Sequence, residues 1–187
     1  GKIFVGDYYT HGYITASKKS NYLINGKLCY IELTLTSDDP TWYKEGSHFF
    51  SNTGTNATGG GYDYPYEYEY DYAVPTNSRT ITSNSPGGSA FKMRIYGAAT
   101  DPCVIINNHK YQVKGTIAAD EELLIDSLNK TITLIKPNGE RVNWFDARGR
   151  DHYIFEPIPN GVNTVEWLGT FNFDLTLIEQ RSEPKWT

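Results

Sequence analysis

The residue types able to do chemistry in this chain are scattered along it. His11, His48, His109 and His152 include no pair at i, i+4 spacing, and neither Cys29 nor Cys103 lies close enough to one of them in sequence to share a zinc ion. A metal site would have to arise from tertiary proximity alone, so neither a metal nor a cofactor is expected. The sequence holds no Gly-x-Ser-x-Gly elbow, no Walker-type glycine loop and no Gly-x-Gly-x-x-Gly fingerprint. The carboxylates of Asp120-Glu121-Glu122 read as a solvated bend rather than a catalytic pair. Two carboxylates facing each other across a groove would make a glycosidase and leave no local mark. That reading stands third, and the expectation is a protein without enzymatic activity.

The most unusual spacing is that of Tyr62, Tyr64, Tyr66, Tyr68, Tyr70 and Tyr72, which alternate with Asp63, Pro65, Glu67, Glu69 and Asp71. An extended chain sends successive side chains to opposite faces, so all the rings share one face. Bare rings would stack on pyranose faces, which makes Tyr66 and Tyr68 a candidate carbohydrate platform. The simpler reading is an aromatic face packed on its own sheet, each cross-strand pair adding about 0.2–1 kcal/mol. Pro65 favours an edge strand, because proline cannot donate to the ladder. A calcium loop is disfavoured, since its glycine and terminal glutamate are missing at the needed offsets. A second aromatic group, Trp42-Tyr43 and Phe49-Phe50, lies just beyond a strand and either caps a core or forms part of an interface. Trp42, Tyr43, Phe49, Phe50, Tyr66 and Tyr68 together are the candidate interaction surface.

The elements that must position these residues are strands. In Thr170 to Ile178 the large side chains Phe171, Phe173, Leu175 and Leu177 alternate with smaller polar ones, the mark of a half-buried strand. Each of these four is worth roughly 1.5–3 kcal/mol of burial, so a second layer must receive them. From Lys27, Cys29, Ile31, Leu33 and Leu35 alternate with Leu28, Tyr30, Glu32 and Thr34 in the same way, up to Asp38-Asp39-Pro40. Phe91, Met93 and Ile95 mark another strand, and Val104–Ile106 and Tyr111–Val113 flank Asn107-Asn108 as a tight hairpin. Thr131–Ile135 and Arg141–Phe145 form a second hairpin around Pro137-Asn138-Gly139. Asp120 to Ile125 could make one helical turn, and Tyr153 to Phe155 reads as a strand. Strands at intervals of about eight to twelve residues predict an all-β protein, a two-sheet antiparallel β-sandwich preceded by an N-terminal β extension. The glycine-rich stretch 51–61 separates residues 1–61 from a sandwich over 62–187.

Composition sets the outer limits. With a net charge of −5 and 21% charged residues over 187, the chain has no electrostatic footprint for nucleic acid or an anionic membrane. No apolar run reaches the ~20 residues needed to span a bilayer. Cys29 and Cys103 each sit in an apolar run and read as small buried hydrophobes. Opening on Gly1 rather than Met suggests a chain processed or cut from a longer one.

Gly115-Thr116-Ile117, Leu124-Ile125-Asp126, Lys130-Thr131-Ile132, Asn138-Gly139, Tyr153-Ile154-Phe155-Glu156, Ile158-Pro159-Asn160-Gly161 and Arg181-Ser182-Glu183-Pro184-Lys185-Trp186 resemble the carboxy-terminal part of siphophage tail proteins. The family resembled is that of the distal tail, Dit-like, proteins of Firmicutes prophages. Tyr96-Gly97 with Asp101-Pro102 and Tyr111-Gln112-Val113 resembles its second domain; Leu33-Thr34-Leu35 with Asp39-Pro40-Thr41-Trp42-Tyr43 resembles the last strand of its first. The resemblance implies a galectin-like, jelly-roll type sandwich behind the end of a truncated ring-forming domain. It also implies a hub role in the virion tail, after synthesis in the bacterial cytoplasm. The partners would be other tail proteins, of the tail tube, tail tip or fibres. A lectin-like module binding cell-surface glycan through exposed tyrosine and tryptophan is the alternative.

Overall fold

The computed structural model describes residues 1–20, 30–52 and 77–184. Among the described residues there are strands and a single 3-10 turn, Phe145–Ala147, with no α-helix, so the expected all-β class holds. The chain forms two compact units, Gly1–Lys44 with Gln180–Thr187, and Glu45–Glu179. The tyrosine ladder, Cys29 and the expected boundary after residue 61 lie outside the described residues.

In the first unit, β1 (Lys2–Val5) and β2 (Tyr8–His11) form an antiparallel hairpin around Gly6, whose φ of 57° suits glycine. β3 (Tyr13–Ser20) pairs antiparallel with β4 (Tyr30–Thr36), with a register shift between Ile14 and Ala16. β5 (Trp42–Phe50) begins in this unit, where Tyr43 is paired with Tyr9 of β2. Among its described residues Tyr8, Tyr9, Thr10 and Pro184 are buried.

The second unit holds β6 (Asn77–Ser83), β7 (Ala90–Tyr96), β8 (Ala99–Thr100), β9 (Cys103–Ile106), β10 (His109–Gln112) and β11 (Thr116–Ile117). It continues with β12 (Glu122–Asp126), β13 (Thr131–Ile135), β14 (Arg141–Asn143), β15 (Gly161–Trp167) and most of β16 (Phe173–Arg181). One sheet runs β5-β16-β7-β12-β13-β14, the other β10-β9-β15-β6. Phe91, Met93 and Ile95 of β7, Leu123 and Ile125 of β12 and Phe173 and Leu175 of β16 have no exposed surface. Val104 and Ile106 of β9, Tyr111 of β10 and Val165 and Trp167 of β15 complete the same core. The layers touch through edge-on ring pairs, Phe91 with Tyr111 at 5.1 Å and Trp167 with Phe173 at 5.4 Å. The two expected hairpins are present: Asn107 and Asn108 take φ of 48° and 67° between β9 and β10, and Gly139 takes 82° between β13 and β14.

Two local readings change, and one strand is added to them. Asp120 to Ile125 contributes no helical turn: Leu123 and Ile125 face the core from β12, which is paired on one side with β7 and on the other with β13. Tyr153 to Phe155 is a connection rather than a strand, held by the buried side chains of Ile154 and Phe155. The polar stretch Asn77–Ser83 is a strand, secured by seven residue pairs with β15, though only Ile81 brings a large buried side chain. Cys103 is half-buried on β9, and burial pushes its thiol pKa up.

Candidate interaction surface

Among the described residues, the β3–β4 hairpin exposes the most large apolar side chains. Residues 13–19 and 30–35 are all exposed, so both faces of the ribbon are open. Tyr13, Ile14, Tyr30, Ile31, Leu33 and Leu35 are each 49–63% exposed. The alternation read from Lys27 onward predicts a strand; among the described residues both faces of it are exposed. A two-stranded ribbon is marginal in water on its own. This one is held by its ladder and by Thr15, whose Oγ1 donates to the Thr34 carbonyl at 3.2 Å. At its base Gly12 packs so closely that a Cβ would lie 2.8 Å from the Thr36 carbonyl oxygen.

Four of the aromatic residues singled out in sequence, Trp42, Tyr43, Phe49 and Phe50, are described, and they differ in exposure. Phe50 is 2% exposed and stacks on Phe173, so it belongs to the core and is removed from the candidate surface. Phe49, its neighbour on the other face of β5, is 56% exposed. Trp42 and Tyr43 are half-buried. Tyr43 stacks on Tyr9 at 5.6 Å and its hydroxyl donates to Asp39 Oδ2 at 2.5 Å. Tyr66 and Tyr68 lie outside the described residues.

The electrostatics of this corner are structural. Hydrogen bonds from the Thr41 side chain and from Tyr43 hold the Asp39 carboxyl below its ordinary value. Burial, reinforced by Asp39, pushes the Tyr43 hydroxyl up. Among the described residues no group of three or more His, Cys, Asp or Glu is placed to hold a metal ion. No helix among them is long and apolar enough to cross a membrane. Sequence reasoning named Leu33 and Leu35 only as strand residues and passed over Ile14. The signal that was available is that Ile31, Leu33 and Leu35, at alternate positions, fall on the same face of a short ribbon as Ile14.

The fold is that of phage tail hub and baseplate proteins. The SPP1 Dit (gp 19.1) protein, described as a paradigm of the hub adsorption apparatus in phages infecting Gram-positive hosts, superposes with a TM-score of 0.55 at 9% identity over 95% of this chain. A chain of the phage P2 baseplate in its activated conformation superposes with TM-scores of 0.52 with Ca and 0.50 with Sr, at 15% identity and again over 95% of this chain. At these identities the likeness is one of fold. The chain spans 62% of the SPP1 protein and 66% of the P2 chain, less than two thirds of either. No family model matches the sequence, and no curated protein sequence does so either.

Proposed function

We propose that this chain is a structural component of a phage tail, a protein of distal-tail hub type that acts through contacts with other tail proteins rather than by turnover. The observation that carries this reading is the β3–β4 hairpin, which exposes Ile14, Ile31, Leu33 and Leu35 together on one face. Exposed apolar surface of this kind marks a contact with another protein. The fold likeness to hub and baseplate proteins supports a phage tail as the assembly that supplies that contact. The hairpin packs against a neighbouring tail subunit, the tail tube, tail-tip and fibre proteins being the candidate partners. The chain is made in the bacterial cytoplasm and ends in the virion tail.

The test is the double substitution Leu33→Ser and Leu35→Ser in a phage encoding the chain. Complete tails should fail to assemble while the purified variant melts at the parent temperature. Normal infectious particles from the variant phage would remove the hairpin from the account.

A further inference from the structure

The sandwich unit carries a cavity of about 560 Å³, formed by Lys130 at the turn before β13 and by the segment from Phe145 to Phe155. Its volume lies in the range of small-ligand sites, about 300–1,000 Å³. Two kinds of side chain converge on it: the rings of Phe145, Tyr153 and Phe155, and the cations Lys130, Arg148 and Arg150. An adjoining hollow of about 360 Å³ shares Lys130 and Phe145 and adds Arg141.

This concentration of positive charge occurs in a chain with a net charge of −5. Among the described residues Lys130, Arg141 and Arg150 make no ion pair, and the pair of Arg148 is a loose one, 3.8 Å from the fully exposed Asp146. One carboxylate, Asp151, also lines the cavity. The cations are set against the rings: Arg148 lies 4.1 Å from the centroid of Phe145, and Lys130 Nζ is 5.2 Å from that of Tyr153. Arg148 is further fixed by its Nη1, which donates to the Phe145 carbonyl at 2.8 Å.

The wall is preformed. The Gly149 amide donates to the Gln112 carbonyl at 2.8 Å, His109 Nε2 lies 2.8 Å from the Tyr153 carbonyl and the Tyr111 hydroxyl donates to the Glu156 carbonyl at 2.9 Å. These three bonds strap the segment to β10, and the buried side chains of Ile154 and Phe155 pin its middle. A ligand therefore meets an ordered surface, with little of its binding free energy lost to ordering the loop.

We propose that this groove binds an anionic saccharide, a sugar ring bearing a carboxylate or a phosphate. The apolar face of the ring stacks on Tyr153, 51% exposed at the site, with Phe145 and Phe155 behind it. The acid group pairs with Lys130 and the guanidinium groups of Arg148 and Arg150, whose planar forks suit either oxyanion. Asp151 accepts from ring hydroxyls. An acidic peptide would satisfy the charges but leave the aromatic shelf unused. The inference is independent of the proposed tail role.

The experiment titrates the full chain with glucose-1-phosphate, with a galacturonate oligomer, with the neutral sugar maltose and with polyglutamate, by calorimetry at two salt concentrations. Binding of either acidic sugar supports the proposal, and which one binds tells phosphate from carboxylate. Maltose should bind at least about tenfold more weakly, and raising the salt should weaken the acidic sugar. Lys130→Gln and Tyr153→Ala should each weaken it by about tenfold without lowering the melting temperature, while Tyr153→Phe, which keeps the ring, retains binding. Failure of both acidic sugars to bind would overturn the proposal. So would equal binding of maltose, or polyglutamate binding that Tyr153→Ala leaves intact, which would make the groove a site for an acidic peptide.

Discussion

Phe50 and Phe173 lie face to face, their ring centroids 4.5 Å apart and their planes within 2° of parallel. Trp167 meets both rings edge-on, at 5.3 Å from Phe50 and 5.4 Å from Phe173. Three large side chains from β5, β15 and β16 therefore share one site, and truncating any of them leaves a void that its neighbours cannot fill. Phe50→Ala should cost about 3–5 kcal/mol in urea unfolding. Phe49→Ala, on the open face of the same strand, should stay within about 0.5 kcal/mol of the parent. Equal effects of the two would show that the strand is wrongly faced.

A buried amide ties the Asn107 turn to β15. Asn163 has no exposed surface; its Nδ2 donates to the Pro159 and Gly161 carbonyls at 2.9 and 2.8 Å, and its Oδ1 accepts from Asn107 Nδ2 at 2.5 Å. Asn163→Leu leaves these partners without their bonds, each loss costing about 1–3 kcal/mol. The variant should melt well below the parent, and an unchanged transition would refute the network.

Gly97 marks a close approach of backbone to backbone. A Cβ there would lie 1.7 Å from the carbonyl oxygen of Ala118. Gly97→Ala should therefore destabilise the sandwich by about 4 kcal/mol or more, as judged by denaturant midpoint, since main chain must move to admit one methyl group.

Stability should fall in alkali. Burial, with the Asp174 hydrogen bond, pushes the Tyr96 hydroxyl from 10.0 to about 12, and burial with Glu156 raises Tyr111 as well. Between these values and the unfolded value near 10, the folded chain keeps protons that the unfolded chain has lost. The contribution is thus fully present below about pH 10 and is lost as pH rises through the folded values. Urea unfolding free energies measured from pH 9 to 12 should decline, and less steeply in Tyr96→Phe.

What the sequence revealed and what it hid follow from the range of each signal. Phe171, Phe173, Leu175 and Leu177 are all buried, as their alternation required, because a period of two states directly which side chains share a face. The turns at Asn107-Asn108 and Gly139 were legible because positive φ restricts residue type locally. Leu123 and Ile125 were hidden behind three preceding acids, and only pairing with β7 and β13 makes that segment a strand. The same period in Tyr30 to Leu35 announced a strand but not what covers it, since alternation carries no information about partners. The groove around Lys130 and Tyr153 left no local pattern, because it joins a turn to a segment fifteen and more residues away.

The central claim is that this chain is a built-in part of a phage tail. The most direct measurement is gold-labelled antibody against the chain on purified, negatively stained particles, with mass spectrometry of the same preparation. The account predicts the chain among the particle proteins and label confined to the distal end of the tail, where tube meets tip. Particles that lack the chain, or label anywhere other than the tail, would contradict it.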